Sequence, residues 1–315
     1  MSIDRDPSHN HHPSSPASVH GQATDLGQLA APQLRGDSAS GFLKDDEVVV
    51  VCDELTHRTF EPLRNDTAAA VVVRGYLAEE LAVQYAHTIL TVGKSEIGPY
   101  ANLSDDLRKI GRTLFESTDA DRGGSALGMQ EYLDAAEGYR RKLSSITSEI
   151  GPWPMERIRR DLLDALGAEP LRLMDREAFA GLVRVVAHGG QIKPHQDDLA
   201  REFPDLPFAA TLSTPGSVQL AGNLYLQLPD EGGAVRLWNR RLSREELKRM
   251  RSPTSDYGID EKLVGVPVVQ YTPQPGDLMF FDSTKLHAVS SSRGKERVSI
   301  SFFMGISPIE TRFWS

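Results

Sequence analysis

A single cysteine, Cys52, is all that this chain of 315 residues carries. No intrachain disulfide can form, no cysteine-rich zinc site can be built, and the composition fits a reducing compartment. Long apolar runs are missing too. The two longest, around Val48 to Val51 and Ala68 to Val73, end in charge, well short of the ~20 apolar residues of a membrane span. The N-terminal stretch MSIDRDPSHNHHPSSPASVHGQ lacks the apolar centre of a secretory signal. A cytoplasmic protein without membrane contact is expected. Excess positive charge is also absent: 35 Lys and Arg against 44 Asp and Glu leave a net charge of −9, a field that repels phosphate backbones and argues against a nucleic-acid partner. No P-loop or GxSxG elbow occurs, and nothing around Cys52 suggests a nucleophilic site.

What the chain does contain suffices for a large core, with 39% hydrophobic residues against 25% charged ones. Residues 1–40 are rich in Ser, Pro, His and Gly without hydrophobic period, and read as a flexible tail whose His9, His11 and His12 are solvated. Residues 41–315 read as one domain in three parts. In 41–76, EVVVV and AAVVVRGYL are strand-like. In 77–168, apolar residues recur at three- and four-residue spacing, with Ser104 and Pro154 as helix-start signals, so this part is expected to be mainly helical and to hold His87 as a structural residue, like His57 before it. In 170–308, short strands alternate with turns: LRLM, FAGLVRVVAH, VQLAGNLYLQL, AVRLW, VPVVQY, DLMFFD and RVSISFFMGI, with SREELKRM as a surface helix. PDEGG, between NLYLQL and AVRLW, predicts an antiparallel hairpin.

The chemistry concentrates in this last part. In QIKPHQDDL, His195 and Asp197 are two residues apart, so on an extended chain they leave the same face, while Asp198 leaves the other. His287, after the GDLMFF run, offers a second imidazole. Two histidines and one carboxylate are the ligand set of the facial triad that holds iron(II) with open positions on one side. Ten residues beyond His287, Arg297 shares a strand face with Ser299. A planar guanidinium beside a hydroxyl suits a carboxylate, here the distal carboxylate of 2-oxoglutarate.

With His-x-Asp at 195 and 197, GDLMFF before His287, and Arg-x-Ser at 297 and 299, the chain resembles the 2-oxoglutarate- and iron(II)-dependent dioxygenase superfamily. Within it, the prolyl-hydroxylase-like and small-molecule amino-acid hydroxylase branches are the nearest in pattern. The resemblance covers residues 170–308, and NLYLQLPDEGGAVRLW looks like the paired strands that follow the first metal motif there. It implies an α+β fold: a double-stranded β-helix, the cupin-like jelly roll, with the helical part packed on the larger sheet. It further implies Fe(II) as cofactor, 2-oxoglutarate and O2 as cosubstrates, succinate and CO2 as co-products, and hydroxylation as the usual outcome. Related halogenases have alanine or glycine where this chain has Asp197, so hydroxylation is expected here over chlorination.

Asn223, Tyr225 and Gln227 share one face of NLYLQL. In a jelly roll with a polar cavity, Asn223 and Tyr225 would contact the cosubstrate, with Gln227 exposed at the strand end. His188, Arg184, Arg236 and Trp238 are candidate substrate contacts, each with a blander role as core or surface residue. A small polar metabolite, such as a free or N-substituted amino acid, is the expected substrate. A protein side chain, or a ligand-binding jelly roll without enzymatic activity, is the competing expectation; oligomeric state has no signature.

Overall fold

Alternation of side chains between two faces organises the computed structural model, which describes residues 48–100, 105–118, 126–251 and 258–315. The 1–40 tail with its histidines, and Ser104, lie outside those residues. In chain order the strands are β1 Val49–Cys52, β2 Ala70–Val73, β3 Gly98–Pro99, β4 Leu107–Ile110, β5 Glu169–Pro170, β6 Arg172–Leu173, β7 Arg176–Glu177, β8 Leu182–Val186 and β9 Ile192–His195. They continue as β10 Val218–Gln227, β11 Glu231–Gly232, β12 Val235–Leu237, β13 Val269–Tyr271, β14 Leu278–Asp282, β15 His287–Val289, β16 Ser292–Arg293, β17 Arg297–Ile306 and β18 Thr311–Trp314. The result is a mixed α+β fold on a large, mainly antiparallel sheet.

That sheet runs β1-β2-β14-β10-β17-β8-β4-β3, with β18 also on β17 and β5 on β18. A second sheet of four strands runs β13-β12-β15-β9. On β10, Leu220, Leu224 and Leu226 enter the main core with Val298, Ile300 and Met304 of β17 and Phe280 of β14. The alternate residues Ala221 and Tyr225 pack instead with Met279 and Phe281 of β14 and with Val235, Leu237 and Val269 of the smaller sheet. One face of the large sheet thus carries the helices and the other faces the second sheet. Gly222 lies on the helix-bearing face, where a Cβ would stand 2.4 Å from the Phe302 ring, so a side chain there would collide.

The helices Glu79–Thr91, Ala126–Ile146 and Pro154–Leu166 bury Tyr85, Ile89, Tyr132, Leu143, Ile158 and Leu162 in the main core. Pro154 occupies the first turn of its helix, where its missing N–H costs nothing, and Gly167 ends it in the left-handed region at φ 62°. Residues 77–168 are not helical throughout, however. Leu107–Ile110 is strand β4, in register with Val183–Val186 of β8, because an open sheet edge offers these residues a ladder that outweighs the local helical spacing. The expected hairpin is also corrected. Both edges of β10 are taken by β14 and β17, and β12 pairs with β13 and β15, so PDEGG carries the chain from one sheet to the other. Arg244–Met250 is helical as expected, with Ser243 and Glu246 forming a capping box.

Candidate active site

Strand pairing, not proximity in sequence, assembles the site. β9 and β15 run antiparallel with His195 directly opposite His287, and their ring centroids are 4.1 Å apart. Asp197 follows the end of β9, and its Oδ2 lies 3.4 Å from Nε2 of each histidine. Asp198 turns away to cap the short helix Leu199–Glu202, accepting from the Arg201 N–H. Nδ1 of His195 is 2.8 Å from the Lys193 carbonyl and Nδ1 of His287 is 2.9 Å from the Lys285 carbonyl. Each carbonyl fixes the tautomer with the proton on Nδ1, leaving the Nε2 lone pair as the donor that a metal could take.

Electrostatics agree with that donor set. Burial, and then the neighbouring His287 ring, push His195 below the ordinary histidine range, which favours the neutral imidazole that a metal requires. For Asp197, burial opposes ionisation, but His195 and His287 outweigh it and hold the carboxyl well below the usual range. Among the described residues, His195, Asp197 and His287 are the group whose donor atoms converge, all within 4.8 Å of one another. Two neutral imidazoles and one carboxylate suit a divalent ion such as iron(II).

These residues line a cavity together with Arg184, Asn223, Tyr225, Arg297 and Ser301. Arg297 and Ser299 are buried in β17, and both the Arg297 Nε and the Ser299 Oγ lack a hydrogen-bond partner among the described residues. The Arg297 guanidinium sits over the Tyr225 ring, 5.0 Å from its centroid. Ser299 stands in register between Tyr225 and Arg184 on the flanking strands. Buried donors without a partner are costly, and a carboxylate reaching them would satisfy both. Asn223 accepts from the Ser301 hydroxyl at 2.8 Å.

Three of the sequence candidates are not brought to this cavity. His188 is exposed, its Nδ1 accepting from the Gly294 N–H. Arg236 leaves the far face of β12 and pairs with Glu261. Trp238 is a core residue whose indole N–H donates to the Gly265 carbonyl. Gln227 is half-buried rather than exposed, donating to the Glu296 carbonyl. Sequence reasoning missed Gln219, which shares the Asn223 face of β10 and could have been found by extending that alternation. It also missed Ser283, for which no sequence signal exists.

Residues 128–315 match the family model of the carrier-protein-independent halogenase WelO5. The chain belongs to this family. The WelO5 family is of the 2-oxoglutarate- and iron(II)-dependent oxygenase type, the superfamily implied by the sequence resemblance. A curated relative, the L-γ-glutamyl-L-propargylglycine hydroxylase of Streptantibioticus cattleyicolor, is 30% identical over 190 residues, which cover 58% of this chain and 65% of that protein. The match therefore spans just under two thirds of the relative's length. Among solved structures, an N-substituted L-amino acid dioxygenase from Burkholderia ambifaria aligns at a TM-score of 0.55 and 21% identity, over 82% of this chain and 91% of that one. The same enzyme in complex with α-ketoglutarate gives 0.56 and 22%, over the same shares of the two chains. These two are likenesses of fold.

Proposed function

We propose that this protein is an iron(II)- and 2-oxoglutarate-dependent dioxygenase that hydroxylates a small polar metabolite, a free or N-substituted amino acid. The observation that carries the reading is the convergence of His195, Asp197 and His287 on the cavity that also holds Arg297. In this reading the two facing sheets form a double-stranded β-helix, and residues 41–315 are a single oxygenase domain. The hydroxylase of Streptantibioticus cattleyicolor and the dioxygenase of Burkholderia ambifaria, both named for amino-acid substrates, support the substrate class.

Each residue has a role that follows from its place. His195, His287 and Asp197 would hold the iron, their Nε2 atoms presented by the carbonyl contacts at Nδ1. When bound, iron(II) supplies the redox chemistry that couples decarboxylation of 2-oxoglutarate by O2 to oxidation of the substrate. Arg297 and Ser299 would take the distal carboxylate of 2-oxoglutarate, with Tyr225 and Asn223 shaping the same wall. Arg184, on the wall beside Ser299, would meet the substrate. Asp197 keeps a carboxylate in the triad, which favours hydroxylation despite the name of the family.

The test is release of succinate from 2-oxoglutarate, screened against amino acids and their N-acylated derivatives. Turnover should require iron(II) and a substrate, stop with chelator, and vanish in His195→Ala and His287→Ala. A chain that binds metal yet releases no succinate with any of these compounds would be a ligand-binding protein instead.

A further inference from the structure

Gln219 lies at the start of β10, fully packed, with 4% of its surface exposed. Its side chain makes three hydrogen bonds that reach two separate parts of the chain. Nε2 donates to the Asp197 carbonyl at 2.9 Å and to the Ser283 hydroxyl at 2.9 Å, while Oε1 accepts from the Leu199 N–H at 2.8 Å. Ser283 closes the arrangement: its hydroxyl donates to the Asp197 carbonyl at 3.1 Å, its carbonyl accepts from the Asp197 N–H at 2.9 Å, and its own N–H donates to the Gln219 carbonyl at 3.1 Å.

The backbone of residue 197 is thus held on both sides, just where the chain has left β9 and has no ladder of its own. Ser283 also opens the turn that leads to His287, whose ring is fixed by the Lys285 carbonyl. Groups that hold a ligand without touching the metal decide whether the ligand is preorganised.

We propose that Gln219, acting with Ser283, is a positioning residue that holds the Asp197 carboxylate toward His195 and His287 and ties it to the turn carrying His287. This rests on the metal-centre reading given above. Loss of the Gln219 amide removes two donors and one acceptor from residues 197, 199 and 283, and leaves Asp197 free to leave its bearing while the His195–His287 pairing of β9 and β15 persists.

The experiment measures zinc(II) and cobalt(II) affinity of the metal-free full chain by competition with a chromophoric chelator, alongside its melting temperature. Gln219→Leu should weaken both metals about 10- to 100-fold, and Ser283→Ala by a smaller factor, with a lowered melting temperature but unfolding still cooperative, since the buried Leu199 N–H loses its acceptor. In an Asp197→Ala background Gln219→Leu should have no further effect on affinity, because the group it positions is gone. The visible cobalt(II) spectrum of Gln219→Leu should shift in the same direction as that of Asp197→Ala. Equal losses in the two backgrounds, or an unchanged affinity, would overturn the clamp. If Gln219→Leu does not fold, the same cycle is run with Ser283→Ala and is read in the same way. An unsubstituted chain that binds neither metal overturns the metal centre together with the clamp, whereas binding that survives Gln219→Leu overturns the clamp alone.

Discussion

Arg297 shows what burial does to a charged side chain. Burial is the main influence pulling its guanidinium below the ordinary range, partly offset by Tyr225, yet arginine stays charged in proteins. Its fork therefore presents fixed positive charge at a buried position, where solvent screening is weak. Lysine would keep the charge but not the two parallel donors. Arg297→Lys is expected to raise the KM for 2-oxoglutarate by at least about tenfold, in line with the loss of ~1.5–3 kcal/mol from a charge-assisted hydrogen bond, and to leave zinc affinity unchanged. Titration of succinate release against 2-oxoglutarate checks this, and an unaltered KM would remove Arg297 from the cosubstrate site.

At the level of elements, β10 separates the two jobs of the large sheet by parity alone. Odd-numbered positions 219 to 225 face the cavity or its supports, and Leu220, Leu224 and Leu226 face the helices. Stability and site chemistry should accordingly respond to different substitutions on the same strand. Leu224→Ala empties part of the helix-facing core and should cost about 2–5 kcal/mol in denaturant unfolding, while the metal affinity of the folded variant stays as it was. A large fall in affinity would mean that the two faces are coupled through the strand. The pairing of β9 with β15 does both at once: it buries Ile192 against Val289 and sets two imidazoles side by side.

For the whole molecule, the outcome of the reaction is the property at issue, because the family takes its name from a halogenase. On the proposed reading Asp197 would take the place that chloride needs, so in chloride buffer the product should be heavier by one oxygen atom derived from O2. Mass spectrometry with ¹⁸O2 decides the matter, and a dominant product with chlorine in place of hydrogen would overturn the hydroxylase reading. Among the described residues no helix is long and apolar enough to cross a membrane. Much of this was legible in the chain itself. His195 and Asp197 share a face because extended residues alternate, and Arg297 with Ser299 follows the same rule. The strands of 170–308 announced themselves by short β-branched runs between turns. Other features were not legible, since they depend on which edges meet. β4 was masked by helical spacing, and the PDEGG turn was read as a hairpin although both edges of β10 were already occupied. The sequence by itself determined the parity of His195 with Asp197 and of Arg297 with Ser299 along their segments, because alternation is a local property of covalent geometry. Only the tertiary structure decided that His287 stands opposite His195, that Trp238, Arg236 and His188 stand away from the cavity, and that Gln219 and Ser283 hold Asp197. Those facts depend on pairing between distant segments, which local propensity does not encode.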